Sequence, residues 1–194
     1  MSLVSGGLDS SLMSVLAKKE GVEQFPLFID YGQKSKEREW NACKSVFKKC
    51  GLPTPRKMFI AGYGQAIESG LTSHLKDVYR EAFLPGRNLL FLLCGAACAV
   101  RNGSDAILIG LLNETTHLFP DQTINFLLDA EKAISSAMGR KLVVVAPLMH
   151  LFKSDVIRLA KKYSITGTYS CHKGTQRPCG QCISCREFLS AKKA

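Results

Sequence analysis

The sequence predicts an α/β protein with a doubly wound, five-stranded parallel sheet and a small cysteine-rich module at the C-terminal end. Three observations lead to this prediction. Strand and helix patterns alternate along most of the 194 residues, which is typical of parallel sheets covered by helices. A glycine pair in the string SGGLDS, residues 5–10, separates the first strand from the first helix. Four cysteines fall within the fifteen residues 171–185.

The first half of the chain contains three predicted strands and two predicted helices. Each helix is marked by apolar side chains at intervals of three and four residues, and each ends at a glycine. The predicted strands cover 3–4, 25–29 and 58–60. The first helix follows SGGLDS and ends before Gly21, and the second covers about 35–50.

The second half repeats the alternation with three helices and two strands. In chain order we predict a helix over 89–100, a strand over 106–109, a helix over 124–138, a strand over 142–146 and a helix over about 154–163. The first of these, LLFLLCGAACAV, is the longest apolar run. It is shorter than the roughly 20 residues that a membrane span needs, so we expect a buried helix.

The string SGGLDS has the properties of an anion-binding loop. Glycines let the backbone approach a ligand, and the helix that follows directs its free N–H groups and its positive dipole end to the same place. Ser5, Ser10 and Ser11 add hydroxyl groups. The string differs from the phosphate loop GxxxxGK[ST], because no lysine ends it and Asp9 stands within it. Together with Asp30 and Asn113, it emerges at the carboxyl ends of predicted strands, where doubly wound sheets bind ligands.

The positive charge of the chain is concentrated at its C-terminal end. The formal net charge is +10, and residues 140–194 contain eleven Lys and Arg against two acidic residues. Such a segment is typical of contacts with nucleic acid or phosphate-rich small ligands, and equally of a solvated surface. A basic and apolar leader is not visible at the N-terminus, which favours a cytoplasmic location.

The C-terminal cysteines have the spacing of a metal site. Their pattern is C-x7-C-x2-C-x2-C, with Gly174, Pro178 and Gly180 as turn residues, and the ligands would be Cys171, Cys179, Cys182 and Cys185. Zinc is favoured, and an iron–sulfur cluster stays open. Four thiolates would offset part of the positive charge, which weakens the nucleic-acid interpretation. His172 is an alternative ligand, although a loop-bracing or solvent-facing histidine is the simpler interpretation. The other four cysteines lie on apolar helix faces and are expected to be buried: Cys43, Cys50, Cys94 and Cys98.

SGGLDS resembles the pyrophosphate loop (PP-loop) of the ATP pyrophosphatase superfamily, whose members adenylate a carboxyl or carbonyl oxygen. Five further segments complete a resemblance to the 7-cyano-7-deazaguanine synthase family over almost the whole chain. They are DYGQK at 30–34, LPGRN at 84–88, IGLLNE at 109–114, PLMHLFKSDV at 147–156 and SCHKGTQRPCGQCISC at 170–185.

The resemblance implies a fold and an activity. The fold is a Rossmann-like ATP-binding domain of the adenine nucleotide α-hydrolase type, here residues 1–165, with a zinc module at 166–194, commonly as a homodimer. The activity is that of an AMP-forming carbon–nitrogen ligase that uses ATP, Mg²⁺ and ammonia to convert 7-carboxy-7-deazaguanine into the nitrile from which queuosine is made. The acid is adenylated, ammonia gives an amide, and the amide oxygen is activated again and expelled.

The resemblance also implies roles for single residues. Asp9, Arg87 and Lys153 would be catalytic, with Lys153 bringing a positive charge to the departing phosphates. Arg87, Asn88, Phe119 and Asp121 would bind the acid, Phe119 by stacking on its ring and Asp121 by accepting its N–H groups. The ATP-binding residues would be Leu3, Val4, Ser5, Gly6, Gly7, Leu8, Asp9, Ser10, Ser11, Leu12, Met13 and Asp30.

Four of these residues also have a simpler interpretation. Asp30 can be a helix N-cap, Arg87 and Asn88 can belong to a surface loop, and Lys153 can be solvated.

The chain departs from the family pattern at the substrate. Where relatives read close to Tyr-Pro-Asp-Cys-Arg-x-Glu-Phe, residues 119–126 read FPDQTINF, so the cysteine, arginine and glutamate are absent. Glutamine and threonine do not replace the charge of an arginine on a carboxylate. In addition, only residues 1–4 precede the loop, which makes the first strand short.

Three alternatives therefore stand beside the leading interpretation. The first is a paralogue that adenylates a deazaguanine acid or another acid and joins it to a different amine. The second is a tRNA-modifying enzyme of the same superfamily, and the third is a zinc-stabilised binding module without activity.

Overall fold

A computed structural model describes residues 1–116 and 118–191 of the chain. Within those ranges five strands alternate with helices along the chain. The elements in chain order are β1 (Ser2–Val4), α1 (Leu8–Lys19), β2 (Pro26–Asp30), α2 (Lys36–Lys49), β3 (Arg56–Phe59), α3 (Ala61–Ile67), α4 (Arg87–Arg101), β4 (Ala106–Leu108), the 3₁₀ helices Glu114–Thr116 and Pro120–Gln122, α5 (Ile124–Met138), β5 (Val143–Val145), α6 (Lys153–Lys162) and α7 (Ile183–Ala191).

The five strands form one parallel sheet in the order β3-β2-β1-β4-β5. Leu3 is in register with Leu27 of β2, and Ile107 of β4 with Val144 of β5. From β1 the chain adds β2 and then β3 on one side of the sheet. It then returns to the centre with β4 and adds β5 on the other side. A sheet of this type binds ligands at the carboxyl ends of the two strands where the order reverses. The predicted fold class is confirmed, and the loop after β1 lies at that point.

Helices cover both faces of the sheet because alternate residues of each strand point to opposite faces. In β1, Leu3 packs into an apolar cluster with residues of α4 and α5, whereas Val4 packs into a second cluster with residues of α1, α2 and α6. In β2, Leu27 joins the first cluster and Phe28 the second. The two clusters cover the two faces of the sheet next to the loops at its carboxyl edge.

The first strand is only three residues long, yet both of its edges are paired. The N-terminal ammonium group of Met1 donates to Ala106 O at 2.8 Å, and Leu108 N–H donates to Met1 O at 2.8 Å. On the other edge Ser2 N–H donates to Phe25 O at 3.2 Å. These bonds fix the start of the SGGLDS loop in the centre of the sheet.

The structure differs from the sequence-based expectation at three points. The helix at 89–100 is buried on one face only, since Leu89 and Leu93 on α4 are each 41% exposed and the helix has solvent opposite the sheet. Of the four cysteines outside the metal motif only Cys43 is fully buried. The helices α3 and α7 were not predicted. In the described ranges, no helix has the length and apolar character that a membrane span requires.

Candidate functional site

Hydrogen bonds among its own polar groups shape the loop between β1 and α1. Ser5 N–H donates to Ser10 Oγ at 3.1 Å, and Gly7 N–H donates to Ser5 Oγ at 3.2 Å. Ser11 Oγ donates to Gly7 O at 2.7 Å. Gly7 is the N-cap residue of α1 and has no side chain with which to cap the helix. The first N–H groups of α1 therefore remain available to an anionic ligand.

The two glycines of the loop lie in different surroundings. Gly6 has a φ of +77°, and a Cβ there would lie 2.3 Å from Glu39 O and 2.7 Å from Cys43 N on α2. Its carbonyl accepts a hydrogen bond from Tyr169 N–H at 2.9 Å. A Cβ on Gly7 would lie 3.2 Å from Ser5 Oγ, 3.4 Å from Ser170 Oγ and 3.8 Å from Tyr169 O. Gly6 is thus required for packing against the backbone of α2, whereas the nearest neighbours of Gly7 are two movable hydroxyl groups.

Two adjoining cavities lie at the carboxyl edge of the sheet. The smaller, of about 240 Å³, is bordered by the loop after β1 and by the end of β2. The larger, of about 640 Å³, is bordered by the segment after β4 and by the start of α6 and α7. Six residues line both cavities, and we call them the throat: Asp9, Arg87, Gly110, Leu111, His172 and Ser184. A cleft of this shape can hold two ligands that meet at the throat.

Lys153 brings a positive charge to the loop. It is the first residue of α6, its side chain is 10% exposed, and its Nζ lies 2.8 Å from both carboxylate oxygens of Asp9. Glu187 Oε2 on α7 lies at 3.8 Å from the same Nζ. Burial raises the pKa of Glu187, although the charge of Lys153 opposes this. The carboxylates of Asp9 and Glu187 therefore hold the Lys153 side chain in a fixed orientation in the cleft.

Arg87 is a half-buried cation with an unused donor. It is the first residue of α4, and its Nε is buried without a hydrogen-bond partner among the described residues. The guanidinium carbon lies 6.0 Å from the ring centres of Tyr31 and Phe91. Burial raises the pKa of Tyr31 to about 12, although Arg87 opposes this, so the phenol stays protonated at neutral pH. Arg87 can therefore bind an anionic ligand in the throat.

Glu39 is an acidic residue of the smaller cavity. Its carboxylate accepts hydrogen bonds from Gln33 Nε2 at 3.0 Å and from Ser35 Oγ at 2.7 Å. Burial raises the pKa of Glu39, and the two hydrogen bonds and Arg87 oppose that shift. The sequence contained no signal for this residue, because an acid on an amphipathic helix is usually solvated.

Asn88 and Asp121 bind each other. Asn88 N–H donates to Asp121 Oδ2 at 3.3 Å, and Asn88 Nδ2 donates to Asp121 O at 2.8 Å. Asp121 is 7% exposed and is not among the residues that line either cavity. The structure thus uses this carboxylate to hold the start of α4, which differs from the expected contact with the N–H groups of an acid.

The segment that departs from the family pattern forms one wall of the larger cavity. Gln122 Oε1 accepts hydrogen bonds from the N–H groups of Leu118 and Phe119, both at 3.1 Å. Thr123, at the position of the family arginine, accepts from Phe126 N–H at 3.1 Å and so caps α5. The ring of Phe119 lies 5.1 Å from that of Phe83. This wall therefore offers an aromatic face and a neutral amide.

The four cysteines of the C-terminal motif converge on one point. The Sγ atoms of Cys171, Cys179, Cys182 and Cys185 all lie within 4.8 Å of one another. A tetrahedral zinc site with Zn–S bonds of about 2.3 Å requires S–S separations of about 3.8 Å. The cluster is thus of the right size to hold one metal ion, and four protein ligands leave no open position for a substrate.

Hydrogen bonds prepare the cluster for a metal. Cys171 Sγ accepts from Cys179 N–H at 3.4 Å, and Cys179 Sγ accepts from Cys182 N–H at 3.3 Å. Burial alone would raise the pKa of the Cys171 thiol, but the Cys179 N–H and the Thr175 hydroxyl lower it to about 6. The thiolate is the form that binds metal ions.

His172 faces the throat. Its Nδ1 is buried without a hydrogen-bond partner among the described residues, and the residue lines both cavities. Burial, together with the nearby Arg87, Lys153 and Lys34, lowers its pKa to about 4. The sequence favoured a loop-bracing or solvent-facing histidine, and the structure places it in the cleft instead. In the sequence His172 stands next to the metal ligand Cys171, so the pattern assigns it to the metal loop and not to the cleft.

Of the twelve residues expected to bind ATP, six line the smaller cavity and six, among them Gly6, line neither cavity. Four of the expected residues are buried in the core on α1 and line neither cavity: Leu8, Ser11, Leu12 and Met13. The smaller cavity is lined by Leu3, Val4, Ser5, Gly7, Asp9 and Ser10. Asp30, at 3% exposure, accepts from Gly32 N–H at 3.2 Å and lies 3.3 Å from Lys57 Nζ. Asp30 lies outside both linings, and its charge is matched by that of Lys57.

Comparison with known proteins gives consistent results. A family model described as "Queuosine biosynthesis protein QueC" matches residues 1–193. The 7-cyano-7-deazaguanine synthase of Aliarcobacter butzleri is 33% identical over 97% of this chain and 88% of its own length. The enzyme of the same name from Nautilia profundicola is 33% identical over 95% of this chain and 88% of its own length.

Among solved structures, an NMN synthetase from Francisella tularensis is similar in fold. It aligns with a TM-score of 0.51 over 98% of this chain and 72% of its own, at 14% sequence identity. At that identity the likeness concerns the fold alone.

Proposed function

The chain belongs to the QueC family of queuosine biosynthesis proteins, and from this we propose that it converts 7-carboxy-7-deazaguanine and ammonia into 7-cyano-7-deazaguanine, with ATP cleaved to AMP and pyrophosphate. The observation that carries the proposal is the throat. There the glycine loop of the smaller cavity meets the larger cavity, so a nucleotide held by the loop and an acid beside it would touch.

The first step is transfer of AMP to the acid. A carboxylate oxygen attacks the α-phosphorus, a new P–O bond forms, and the bond to the bridging oxygen breaks as pyrophosphate leaves. Negative charge builds on the leaving pyrophosphate. The N–H groups at the start of α1 and the ammonium group of Lys153, which pairs with Asp9 of that helix, would stabilise this charge.

The remaining steps use the same groups twice. Ammonia attacks the acyl carbon, loses a proton, and AMP leaves with one carboxyl oxygen to give the amide. The amide oxygen then attacks the α-phosphorus of a second ATP. When the second AMP leaves with that oxygen, the nitrogen gives up its last two protons and the nitrile remains. One site suffices, because each activation has the same geometry at the throat.

The acid would occupy the larger cavity with its ring against Phe119. That ring and Phe83 together offer an apolar surface on which a flat bicyclic molecule can stack. Arg87 would contact the anionic part of the acid. Asn88, which lines the smaller cavity, and Asp121 would support this site indirectly, because their mutual hydrogen bonds fix the first turn of α4.

We assign zinc to the four cysteines, as a structural ion of a module covering residues 166–194; residues 192–194 of that module lie outside the described ranges. The ATP-binding domain is then residues 1–165. Mg²⁺ would reach the cleft on the phosphates of ATP. A homodimer and a cytoplasmic location belong to the same proposal: the family resemblance implies the first, and the second suits cysteines that must stay reduced.

A second candidate function rests on the wall formed by residues 118–123. The family arginine is absent, and both Gln122 and Thr123 are engaged in backbone hydrogen bonds. A changed wall favours a related enzyme that adenylates an acid but passes it to a different amine. Such an enzyme would still release AMP with the deazaguanine acid, but ammonium would not yield the nitrile.

The test is an incubation of the purified protein with ATP, Mg²⁺, ammonium and 7-carboxy-7-deazaguanine. We expect acid-dependent AMP and a nitrile identified by mass, at two AMP for each nitrile. AMP without nitrile supports the second candidate. Absence of acid-dependent AMP from a folded, metal-loaded protein overturns both.

A further inference from the structure

The throat contains two polar atoms that the protein itself leaves unsatisfied. Arg87 Nε and His172 Nδ1 are both buried, and neither has a hydrogen-bond partner among the described residues. Both side chains line both cavities. A buried donor without a partner is unfavourable, commonly by about 1–3 kcal/mol. Two such atoms in one narrow passage indicate a ligand that satisfies both.

The chemistry of the pair defines that ligand. The Nε–H of an arginine donates one hydrogen bond from a permanent positive charge. An imidazole ring donates one more from a nitrogen that carries a proton. Two N–H donors in one narrow passage match the two oxygens of a single carboxylate.

We propose that His172 and Arg87 bind the carboxylate of the acid in the throat, with His172 donating from Nδ1 and Arg87 from Nε. This inference rests on the proposed function and deepens it, because it assigns the group that positions the acid. The two donors orient the carboxylate and leave the lone pairs that they do not engage free to attack the α-phosphorus. The pair also provides the carboxylate contact that Gln122 and Thr123 do not offer.

The metal module holds His172 in place. Cys171, whose Sγ belongs to the cluster, directly precedes His172 in the chain. The same module contributes Ser184 to the throat and Glu187 beside Lys153. A histidine joined directly to a metal ligand has a backbone with little freedom, which suits a positioning residue.

The test compares three substitutions of His172 with one neighbouring control. His172→Ala removes the donor, His172→Asn places an amide nitrogen near the position of Nδ1, and His172→Gln places it near that of Nε2. Lys173→Ala is the control, because its exposed side chain lies outside both cavity linings. Measured for each are metal content, thermal midpoint, and KM and kcat for the acid and for ATP.

We expect His172→Ala to raise the KM for the acid roughly 10- to 100-fold, the range for a hydrogen bond to a charged group. The KM for ATP, the metal content and the thermal midpoint should stay at wild-type values. His172→Asn should recover more of the acid affinity than His172→Gln, and Lys173→Ala should match the wild type.

Two results would overturn the inference while leaving the proposed function intact. One is a wild type that releases acid-dependent AMP beside a His172→Ala variant with unchanged KM for the acid. The other is a variant that loses metal and weakens ATP and acid equally, which indicates a purely structural histidine. A wild type without acid-dependent AMP defeats the proposed function, and the inference with it.

Discussion

Lys153 Nζ lies 2.8 Å from both carboxylate oxygens of Asp9, which joins the start of α6 to the first turn of α1. The two residues are 144 positions apart in the chain. Their ion pair places a cation beside the open N-terminus of α1. The geometry combines a fixed positive charge with backbone donors, the two features that stabilise a departing pyrophosphate.

Replacing Lys153 with methionine should abolish most of the AMP release. Methionine keeps the apolar part of the side chain but removes the charge, so we expect kcat to fall by about 10²- to 10³-fold. Steady-state measurement of acid-dependent AMP tests this. Lys161→Ala, on the exposed surface of the same helix, is the control and should behave as wild type. A Lys153→Met enzyme within a few-fold of wild type would contradict the assigned role.

Gly6 should tolerate alanine far less well than another glycine of similar conformation. Gly21 has a φ of +71°, and a Cβ added there would have no other atom within 4 Å, so Gly21→Ala should cost about 1 kcal/mol of stability from backbone strain alone. Gly6→Ala adds a clash with α2 and should lower the free energy of unfolding by several times that amount. Denaturant titrations of both variants give the comparison. Equal losses would show that α2 moves aside.

Gly7→Ala should separate ligand binding from folding. The φ at this position is −74°, which alanine adopts without strain, so the thermal midpoint should change little. The added methyl group would enter the loop beside Ser5 and Ser170 and hinder a phosphate. We expect ATP affinity to fall at least about 10-fold in a calorimetric titration, as for a lost hydrogen bond to a charged group. Unchanged affinity would place the phosphates elsewhere.

Metal removal should destabilise the protein before it changes the chemistry. Cys182→Ser should lose the metal and lower the thermal midpoint, because all four ligands are needed to close the site. Cys98→Ser, on half-buried α4, should retain about one zinc per chain and serves as the control. Metal analysis and an absorption spectrum provide the measurement. A brown protein would show that the cysteines hold an iron–sulfur cluster and not zinc.

Glu39 gives a prediction for pH. Burial raises its pKa in the folded state above the usual 4.5, so the folded protein binds more protons than the unfolded chain between those two values. Ionised Glu39 therefore reduces stability as pH rises through that window. As pH rises from 4.5 to neutrality, the Glu39→Gln variant should become more stable relative to the wild type. Denaturant titrations of both proteins at the two pH values measure the difference in the free energy of unfolding. A constant difference would show that Glu39 titrates normally.

The sheet and its order of elements could be predicted because the apolar residues of most segments have the spacing typical of a helix or of a strand. The helix at 124–138 has the predicted bounds, and the strands agree to within two residues. The prediction missed α3, since seven residues with two glycines show too little periodicity. It missed α7 because the cysteine spacing indicates metal ligands, although Cys185 also lies with Ile183 and Ser184 on the buried side of that helix.

The candidate site could be predicted in part. Local patterns predict the loop and the cysteines, whereas the role of Lys153 follows from the family resemblance alone; the structure brings Lys153 and Asp9 together. The contribution of His172 and Glu39 depends on contacts between distant segments, for which a sequence pattern carries no signal. The reverse holds for Leu12 and Met13: they lie next to the loop in sequence, but the helical rotation turns them into the core.

The most direct test of the account follows the carboxyl oxygens of the acid. We would supply 7-carboxy-7-deazaguanine labelled with ¹⁸O in both positions and analyse the released nucleotide by mass spectrometry. We expect one ¹⁸O in the phosphate of each AMP and none left in the product nitrile. Unlabelled AMP, or ADP with labelled inorganic phosphate, would contradict attack at the α-phosphorus and with it the role assigned to the loop.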